Sequence, residues 1–292
     1  MKSDPLHSFF ERALLEVLGQ ITPIVRHRPV LGGDINEAAE LHTAHSKFFI
    51  KYQNGNYPDI FKKEAQGLAC LADSNTLHVP KVLGHGKIDN THFLILEFIE
   101  KGSPSGNFWE SFGEGLAMLH SCTSDKFGLE VDNYIGRLPQ INNPQDNWVD
   151  FFYEHRIGYQ VNYGIKNGLM TGDIQDDIEK LYPKLSSIFP NAEPSLLHGD
   201  LWSGNFICGQ NSKPYIFDPA VYYGHREMEI AMTRLFGGFD LRFYQSYQSN
   251  FPLEPGYEDR TELCNLYPLL VHANLFGGSY LISVKNILKR FI

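Results

Sequence analysis

Cysteine is scarce in this chain: four residues out of 292, at positions 70, 122, 208 and 264, with no Cys-x-x-Cys pair among them. That spacing offers no zinc-ligand or dithiol motif and no disulfide framework, so reduced, partly buried thiols are expected. No apolar run approaches the ~18 residues a membrane-spanning helix needs. No basic segment followed by an apolar stretch opens the chain, so a signal peptide is not expected. Basic charge is also in short supply: 25 Lys plus Arg stand against 34 Asp plus Glu, a formal net charge of −9. Nucleic acids and anionic membranes are held by neutralising phosphate, and this balance argues against both as partners. Internal repeats and low-complexity tracts are absent too. The composition, 42% hydrophobic and 20% charged, is that of an ordinary globular protein able to bury a core without staples. A soluble cytoplasmic protein is the expectation.

The order of patterns along the chain divides it in two. Residues from Asp4 to Leu18 keep helical spacing through Leu6, Phe9, Phe10, Ala13, Leu14, Val17 and Leu18. From Val25 the pattern shortens to strands: Ala38 to Thr43 and Lys47 to Tyr52, joined by the turn Ala44-His45-Ser46. A helix is predicted from Pro58 through Leu71, then strands over Val79–Leu83 and Phe93–Phe98. Lys101-Gly102-Ser103-Pro104-Ser105-Gly106 reads as a connector. Beyond it, helical patterns cover 108–121, 146–168, 172–189, 225–248 and 259–290, interrupted by one hairpin, Asn205 to Cys208 and Tyr215 to Phe217. The fold expected is α+β: a small antiparallel-sheet lobe over residues 1–99 with one internal helix, and a larger, mainly helical lobe over 100–292.

Chemistry concentrates in His198-Gly199-Asp200-Leu201-Trp202-Ser203-Gly204-Asn205, followed after the hairpin by Asp218. Phosphoryl transfer from ATP needs a carboxylate beside the acceptor hydroxyl and oxygen ligands that hold Mg²⁺ on the phosphates. A protein-kinase catalytic loop sets its Asp five positions before its Asn, with a metal-binding Asp after a short hairpin. Asp200, Asn205 and Asp218 follow that order, which makes Asp200 the acceptor-side base and Asn205 and Asp218 the magnesium ligands. Lys51 ends the apolar strand Phe48-Phe49-Ile50 one strand–turn–strand unit after Gly32-Gly33, where a kinase keeps its phosphate-pairing lysine. Glu64, the acidic residue on the apolar stripe of the next helix, is its expected partner. Gly32 and Gly33 allow close backbone approach to phosphate oxygens. Glu97 and Ile99, at the end of a strand, are the expected hinge positions whose backbone grips the nucleotide base. If these assignments hold, Lys51 and Asp218 must lie side by side. His42, His45, His78, His85 and His92 lack acidic or cysteine partners for a zinc set and read as structural or exposed. Trp148, Phe151, Phe152 and Tyr153 read as core.

Gly32-Gly33-Asp34-Ile35-Asn36-Glu37, the loop at 198–205 and Phe217-Asp218-Pro219-Ala220 together resemble the fructosamine kinase (ketosamine-3-kinase) family of the protein-kinase-like superfamily. So do Arg226-Glu227, the stretch from Ala231 to Phe239, Asn274 to Tyr280, Ile135-Gly136-Arg137-Leu138-Pro139-Gln140, and Trp148…Phe152…Arg156. The resemblance runs from about residue 10 to 285, whereas the 198–205 loop alone would also suit aminoglycoside or choline kinases. It implies a two-lobed protein-kinase-like fold, ATP and Mg²⁺ as cofactors, and transfer of the γ-phosphate to the sugar 3-hydroxyl of a ketosamine. Such adducts form when a sugar glycates an amine, free or on a protein lysine. The phosphorylated product decomposes and frees the amine, so the implied role is deglycation. By position the resemblance gives Asp200 as base, Lys51 and Glu64 as the phosphate-anchoring pair, and Asn205 and Asp218 as metal ligands. Trp202, inside the loop, is expected from its position there, not from the family, to face the acceptor sugar. Two positions depart from the family pattern: His225 stands where Asp is frequent, and Glu229 where a shorter Asp braces the catalytic loop. Some relatives carry a phosphate-loop cysteine that links dimers; residues 32–40 contain none, so a monomer without a disulfide-linked dimer is expected. A catalytically silent module with this fold would lack the base, the lysine or a metal ligand, and none is missing.

Overall fold

The structure, a computed structural model, describes residues 4–30, 36–55 and 59–292. The chain forms two compact units, Met1–Pro104 with Ile207–Asp218, and Ser105–Phe206 with Pro219–Ile292. The first unit is built from α1 (Pro5–Leu18), β1 (Ile24–Pro29), β2 (Glu37–Thr43), β3 (Lys47–Asn54), α2 (Ile60–Asp73), β4 (Val82–Ile88) and β5 (Thr91–Glu97). Asp4 starts α1 by accepting a hydrogen bond from the Leu6 amide at 3.0 Å. Gly19, at φ +70°, ends it, its backbone N–H donating a hydrogen bond to the Leu15 carbonyl at 2.9 Å.

The five strands make one antiparallel sheet in the order β1-β2-β3-β5-β4. Strand alternation assigns the faces. Ile50, Tyr52, Phe93 and Ile95 join Phe10, Ala13 and Leu14 of α1 in one apolar cluster. Lys51, one residue out of phase, pairs with Leu94 on the opposite face. Leu68 and Leu71 of α2 are buried, and α2 packs against β4 and β5. The strand expected over Val79–Leu83 forms instead over Val82–Ile88. Gly84 and Gly86 resemble turn residues in sequence, but they serve close packing by α1. A Cβ at Gly84 would stand 2.8 Å from the Val17 side chain, and one at Gly86 would collide with Glu16.

The second unit is mainly helical. It contains α3 (Phe108–His120), a long segment from Trp148 to Lys166, and helices Gly172–Ile188, Glu227–Leu235, Leu241–Asn250, Tyr257–Cys264, Leu266–Phe276 and Ser279–Phe291. Trp148, Phe151, Phe152, Ile178, Leu181, Leu270 and Leu288 are among its buried core. Two segments expected as continuous helices are divided. Gly237 and Gly238, at φ +98° and +72°, separate Glu227–Leu235 from Leu241–Asn250, and Gly277, at +89°, separates the last two helices. The Trp148–Lys166 segment loosens into a π-helical turn over Phe152–Gly158, where a Cβ at Gly158 would meet the Tyr153 carbonyl at 2.6 Å. Two short ladders lay outside the expectation: Ser195–Leu197 with Tyr222–Gly224, and Asn133–Ile135 with Leu138–Gln140. Among the described residues no helix is long and apolar enough to cross a membrane.

His225 lies buried against Trp148 and Phe189 at the entrance to helix Glu227–Leu235. Burial first, then the nearby Arg260 and Arg226 charges, pull its pKa from 6.5 down to about 3. The folded state therefore refuses a proton that the unfolded chain accepts. Stability from this group is complete above 6.5 and is lost as pH falls from there toward 3. His120, buried and likewise held below its ordinary value by desolvation first, adds to the same slope. Urea unfolding between pH 7 and 5 should lose on the order of 1 kcal/mol or more per pH unit. His225→Asn, which keeps an acceptor for the Glu227 amide, should flatten that slope; an unchanged slope in this variant would refute the assignment.

Candidate active site

Residues 167 positions apart meet inside the first unit: the Lys51 ammonium bonds the Asp218 carboxylate Oδ1. It also donates to Glu64 Oε1 of α2 at 2.7 Å. Lys51 is only 7% exposed, while Asp218 keeps 38% of its side chain open. Burial alone would lower the lysine pKa, but the Asp218 and Glu64 charges outweigh it, so the ammonium is held well above its ordinary value. Glu64 moves the other way for a carboxyl, pushed up to about 7 by burial first and by the Asp218 charge, against the pull of Lys51. One cation is thus shared by two carboxyl groups, of which Asp218 keeps the more open side chain. Asp218 adopts φ +59°, a left-handed backbone that Asp tolerates better than most residues, and such strain collects at functional positions.

The hairpin before Asp218 pairs Phe206–Cys208 with Pro214–Ile216. Within the first unit it is tied to the chain after β5, where the Gly102 amide donates to the Cys208 carbonyl at 2.8 Å. The Ile216 amide donates to the His78 carbonyl at 2.9 Å. Glu97 closes β5, with its amide donating to the Lys81 carbonyl at 2.9 Å. Ile99 is half-buried, and its side chain faces the space above Gly209. Gly32 and Gly33 lie outside the described residues.

In the second unit Asp200 and Asn205 come together as their spacing predicts. Asn205 Nδ2 donates to the Asp200 carbonyl at 2.8 Å and to Asp200 Oδ2 at 3.0 Å, leaving Oδ1 outside these bonds. Asp200 is half-buried and Asn205 buried. Trp202 folds over Gly204, where a Cβ would collide with its ring, and meets Phe236 edge-on at 5.8 Å. Ser203 Oγ donates to the Phe236 carbonyl at 3.1 Å. The aromatic series continues from Phe236 to His272 at 4.7 Å.

The loop is seated by Glu229. Its carboxylate accepts the His198 amide at 2.9 Å and the Gly199 amide at 2.8 Å. Burial opposes its charge, yet the His120 bond and the surrounding dipoles hold its pKa below the ordinary value. An ionised carboxylate only accepts, so His120 Nε2 must donate to it, at 3.1 Å. His120 Nδ1 then accepts the Tyr247 hydroxyl proton at 2.8 Å. The longer glutamate thus braces the loop that a shorter Asp was expected to hold. His120 and Tyr247 were not visible in the sequence: each sits on an ordinary helical pattern, with only its burial to mark it. Gly199, at φ +85°, fits tightly against the Ala220 carbonyl.

A five-stranded antiparallel sheet with a lysine–glutamate pair between strand and helix, and a helical unit carrying the His198–Asn205 loop, define the protein-kinase-like phosphotransferase class. The same fold occurs in a thermostable mutant of aminoglycoside phosphotransferase APH(4)-Ia solved with ADP and hygromycin B, at TM-score 0.63 and 17% identity over 96% of this chain and 97% of that one. Within that class the chain belongs to the fructosamine kinase family, whose profile matches residues 7–292. It is 40% identical over 278 residues, 94% of this chain and 93% of the other, to a Synechocystis protein provisionally named ketoamine kinase. It is 37% identical over 297 residues, 100% of this chain and 89% of the other, to the chloroplastic protein-ribulosamine 3-kinase of Arabidopsis thaliana. A crystal structure from Haemophilus somnus 129PT, provisionally named fructosamine-3-kinase, matches with TM-score 0.88 and 33% identity over 97% of this chain and 96% of that one.

Glu229→Ala would strand three donors: two backbone amides and a histidine N–H. Each orphaned buried donor costs about 1–3 kcal/mol, so urea unfolding at pH 7 should show a loss on the order of 3 kcal/mol or more. A loss below about 1 kcal/mol would show that the carboxylate does not hold the loop.

Proposed function

We propose that this protein transfers the γ-phosphoryl group of ATP to the sugar 3-hydroxyl of ketosamines, the ribulosamine and fructosamine adducts of amines and protein lysines. Family membership and the names borne by its relatives support the substrate class. The observation that carries the phosphotransferase reading is the Lys51 ammonium bound to both Glu64 and Asp218. An ammonium fixed on a strand by a helix carboxylate is a rigid point charge for phosphate oxygens.

In this reading residues 1–99 chiefly bind nucleotide and 100–292 supply catalysis and the acceptor site. Asp218 and Asn205 each fit the part of magnesium ligand by their chemistry: a carboxylate and an amide Oδ1 are hard oxygen donors. Magnesium, when bound, would neutralise charge on the transferring phosphates. Lys51 orients the nucleotide phosphates, and Glu64 keeps Lys51 extended. The chain at Glu97 and Ile99 holds the base. Asp200, whose carboxylate Asn205 orients, accepts the proton of the attacking hydroxyl. Trp202, backed by Phe236, offers the acceptor sugar an aromatic face. The 3-phosphate product breaks down and releases the amine, which makes the reaction a deglycation.

Mixing the protein with Mg-ATP and ribulose-lysine or fructose-lysine should produce ADP in step with phosphorylated adduct. No turnover above background with either acceptor would remove the ketosamine reading. Asp200→Asn should lower kcat by about 10²–10⁴-fold while nucleotide still binds. Lys51→Met should lower kcat/KM for ATP by about a hundredfold, because a charge aimed at the phosphates is gone. Steady-state kinetics together with nucleotide-binding calorimetry separate the two effects.

A further inference from the structure

Two sequence features singled out above, Ile135–Gln140 and Arg156, take no part in that chemistry, yet they meet in one buried polar ring of the second unit. Arg156 is fully buried, at 0% exposure, in the π-helical turn. Its guanidinium lies 3.9 Å from the Tyr222 ring centre, 4.5 Å from Phe151 and 5.3 Å from Tyr267. Nη1 donates to the Ile141 carbonyl at 2.7 Å and Nη2 to Asn142 Oδ1 at 2.8 Å. Asn142 Nδ2 and Gln140 Nε2 both donate to Asn133 Oδ1, at 2.9 and 2.8 Å. The Tyr267 hydroxyl donates to Gln140 Oε1 at 2.7 Å, and its ring closes the circuit against Arg156.

The ring holds the backbone just beyond Asp218. Gln140 Nε2 donates to the Ala220 carbonyl at 2.9 Å, and Asn133 Nδ2 to the Val221 carbonyl at 2.8 Å. The Ala220 amide in turn donates to the His198 carbonyl at 2.8 Å, and its carbonyl is packed against Gly199. Tyr222 and Tyr267 line, with Gly199 and Glu229, a cavity of about 10 Å³.

Among the described residues no carboxylate pairs with Arg156, and its Nε has no partner. A buried cation with neither carboxylate nor metal is expensive, and an apolar side chain of similar length would fill the space at lower cost. Three aromatic faces and three acceptors, the Ile141 and His155 carbonyls and Asn142 Oδ1, offset part of the penalty. What the guanidinium adds is a planar fork that fixes rings and acceptors in one geometry.

We propose that Arg156 is a positioning residue for the His198–Asn205 loop: its guanidinium locks the Asn142–Asn133–Gln140–Tyr267 ring, which holds Ala220, on which His198 and Gly199 rest. This rests on the reading of that loop as catalytic. The test compares Arg156→Met, Arg156→Lys and Gln140→Met, each checked for folding by thermal melting. In Arg156→Met, hydrogen exchange over 198–205 and 220–222 should quicken about tenfold or more while the sheet of the first unit keeps its protection. With Mg-ATP and ribulose-lysine, kcat should fall about tenfold or more in Arg156→Met and Gln140→Met, with KM for ATP within about twofold of wild type. Arg156→Lys, which retains the stacked cation, should recover part of the loss. Folded Arg156→Met with unchanged loop exchange, or with kcat within about twofold of wild type, overturns the proposal. If Arg156→Met does not fold, the same outcomes in Gln140→Met decide it. Wild-type protein inactive on ketosamines would count against the function alone, because the exchange measurement needs no substrate.

Discussion

A buried ammonium must find counter-charge, and Lys51 finds it in two carboxylates that the chain brings from opposite directions. Glu64 arrives on the helix that follows its strand. Asp218 arrives 167 residues later, on a hairpin that the chain returns to the first unit after building most of the second. Desolvation works toward the neutral amine, and the charges of Asp218 and Glu64 together outweigh it and hold the lysine charged. The strand register decides where this can happen. Ile50 and Tyr52 point into the cluster with α1, and period two sends Lys51 to the other face. A one-residue slip would bury the ammonium against Phe10 and Leu14 and leave Ile50 facing Glu64.

The second unit solves the opposite problem. Glu229 is a buried anion whose compensation comes from two backbone amides and one neutral histidine, not from a lysine or arginine. Backbone amides cannot rotate away, so the carboxylate fixes the main chain of His198 and Gly199 as firmly as they fix it. The direction of every proton in the series is determined: Tyr247 donates to His120, and His120 donates to Glu229. Protonating His120 would turn its Nδ1 from an acceptor into a donor facing the Tyr247 hydroxyl. Its depressed pKa keeps that state away from neutral pH.

Much of this was legible in advance, and the part that was not shares one cause. Lys51, Glu64, Asp200, Asn205 and Asp218 stand out because charged or amide residues interrupt apolar strands and tight turns at spacings that phosphoryl transfer requires. Placement within each unit followed those spacings: Lys51 meets Glu64 and Asp218, and Asp200 meets Asn205. Helix boundaries failed where glycine supplied a positive φ inside an apolar pattern, as at Gly277 and at Gly237-Gly238. The strand at Val82–Ile88 was misplaced because its glycines answer to α1, a contact no local window contains. Ser195–Leu197 and Tyr222–Gly224 are three residues each, too short for a periodicity to register. His120 and Tyr247 escaped notice because a polar residue on a helix reads as solvent-facing, and only tertiary packing reverses that; Arg156 stood out through the family resemblance, but its burial did not.

Those hidden residues share a further property. They belong to buried polar networks, and such networks add little to net stability, since an apolar core of equal volume avoids the desolvation they incur. Their return is directional. A leucine in place of Gln140 could fill the same volume in several rotamers, whereas Gln140 must meet Asn133, Ala220 and Tyr267 at once. The same holds for Glu229, which satisfies three donors in one orientation. The two networks grip neighbouring stretches, Glu229 the amides of His198 and Gly199 and the Arg156 ring the carbonyl of Ala220, so the loop between them is held from two sides by groups that tolerate one geometry. In a reaction whose rate depends on placing a hydroxyl in line with a phosphorus atom, errors of about 1 Å are costly, and a core that specifies position tightly at the expense of stability is the arrangement that physical constraint favours.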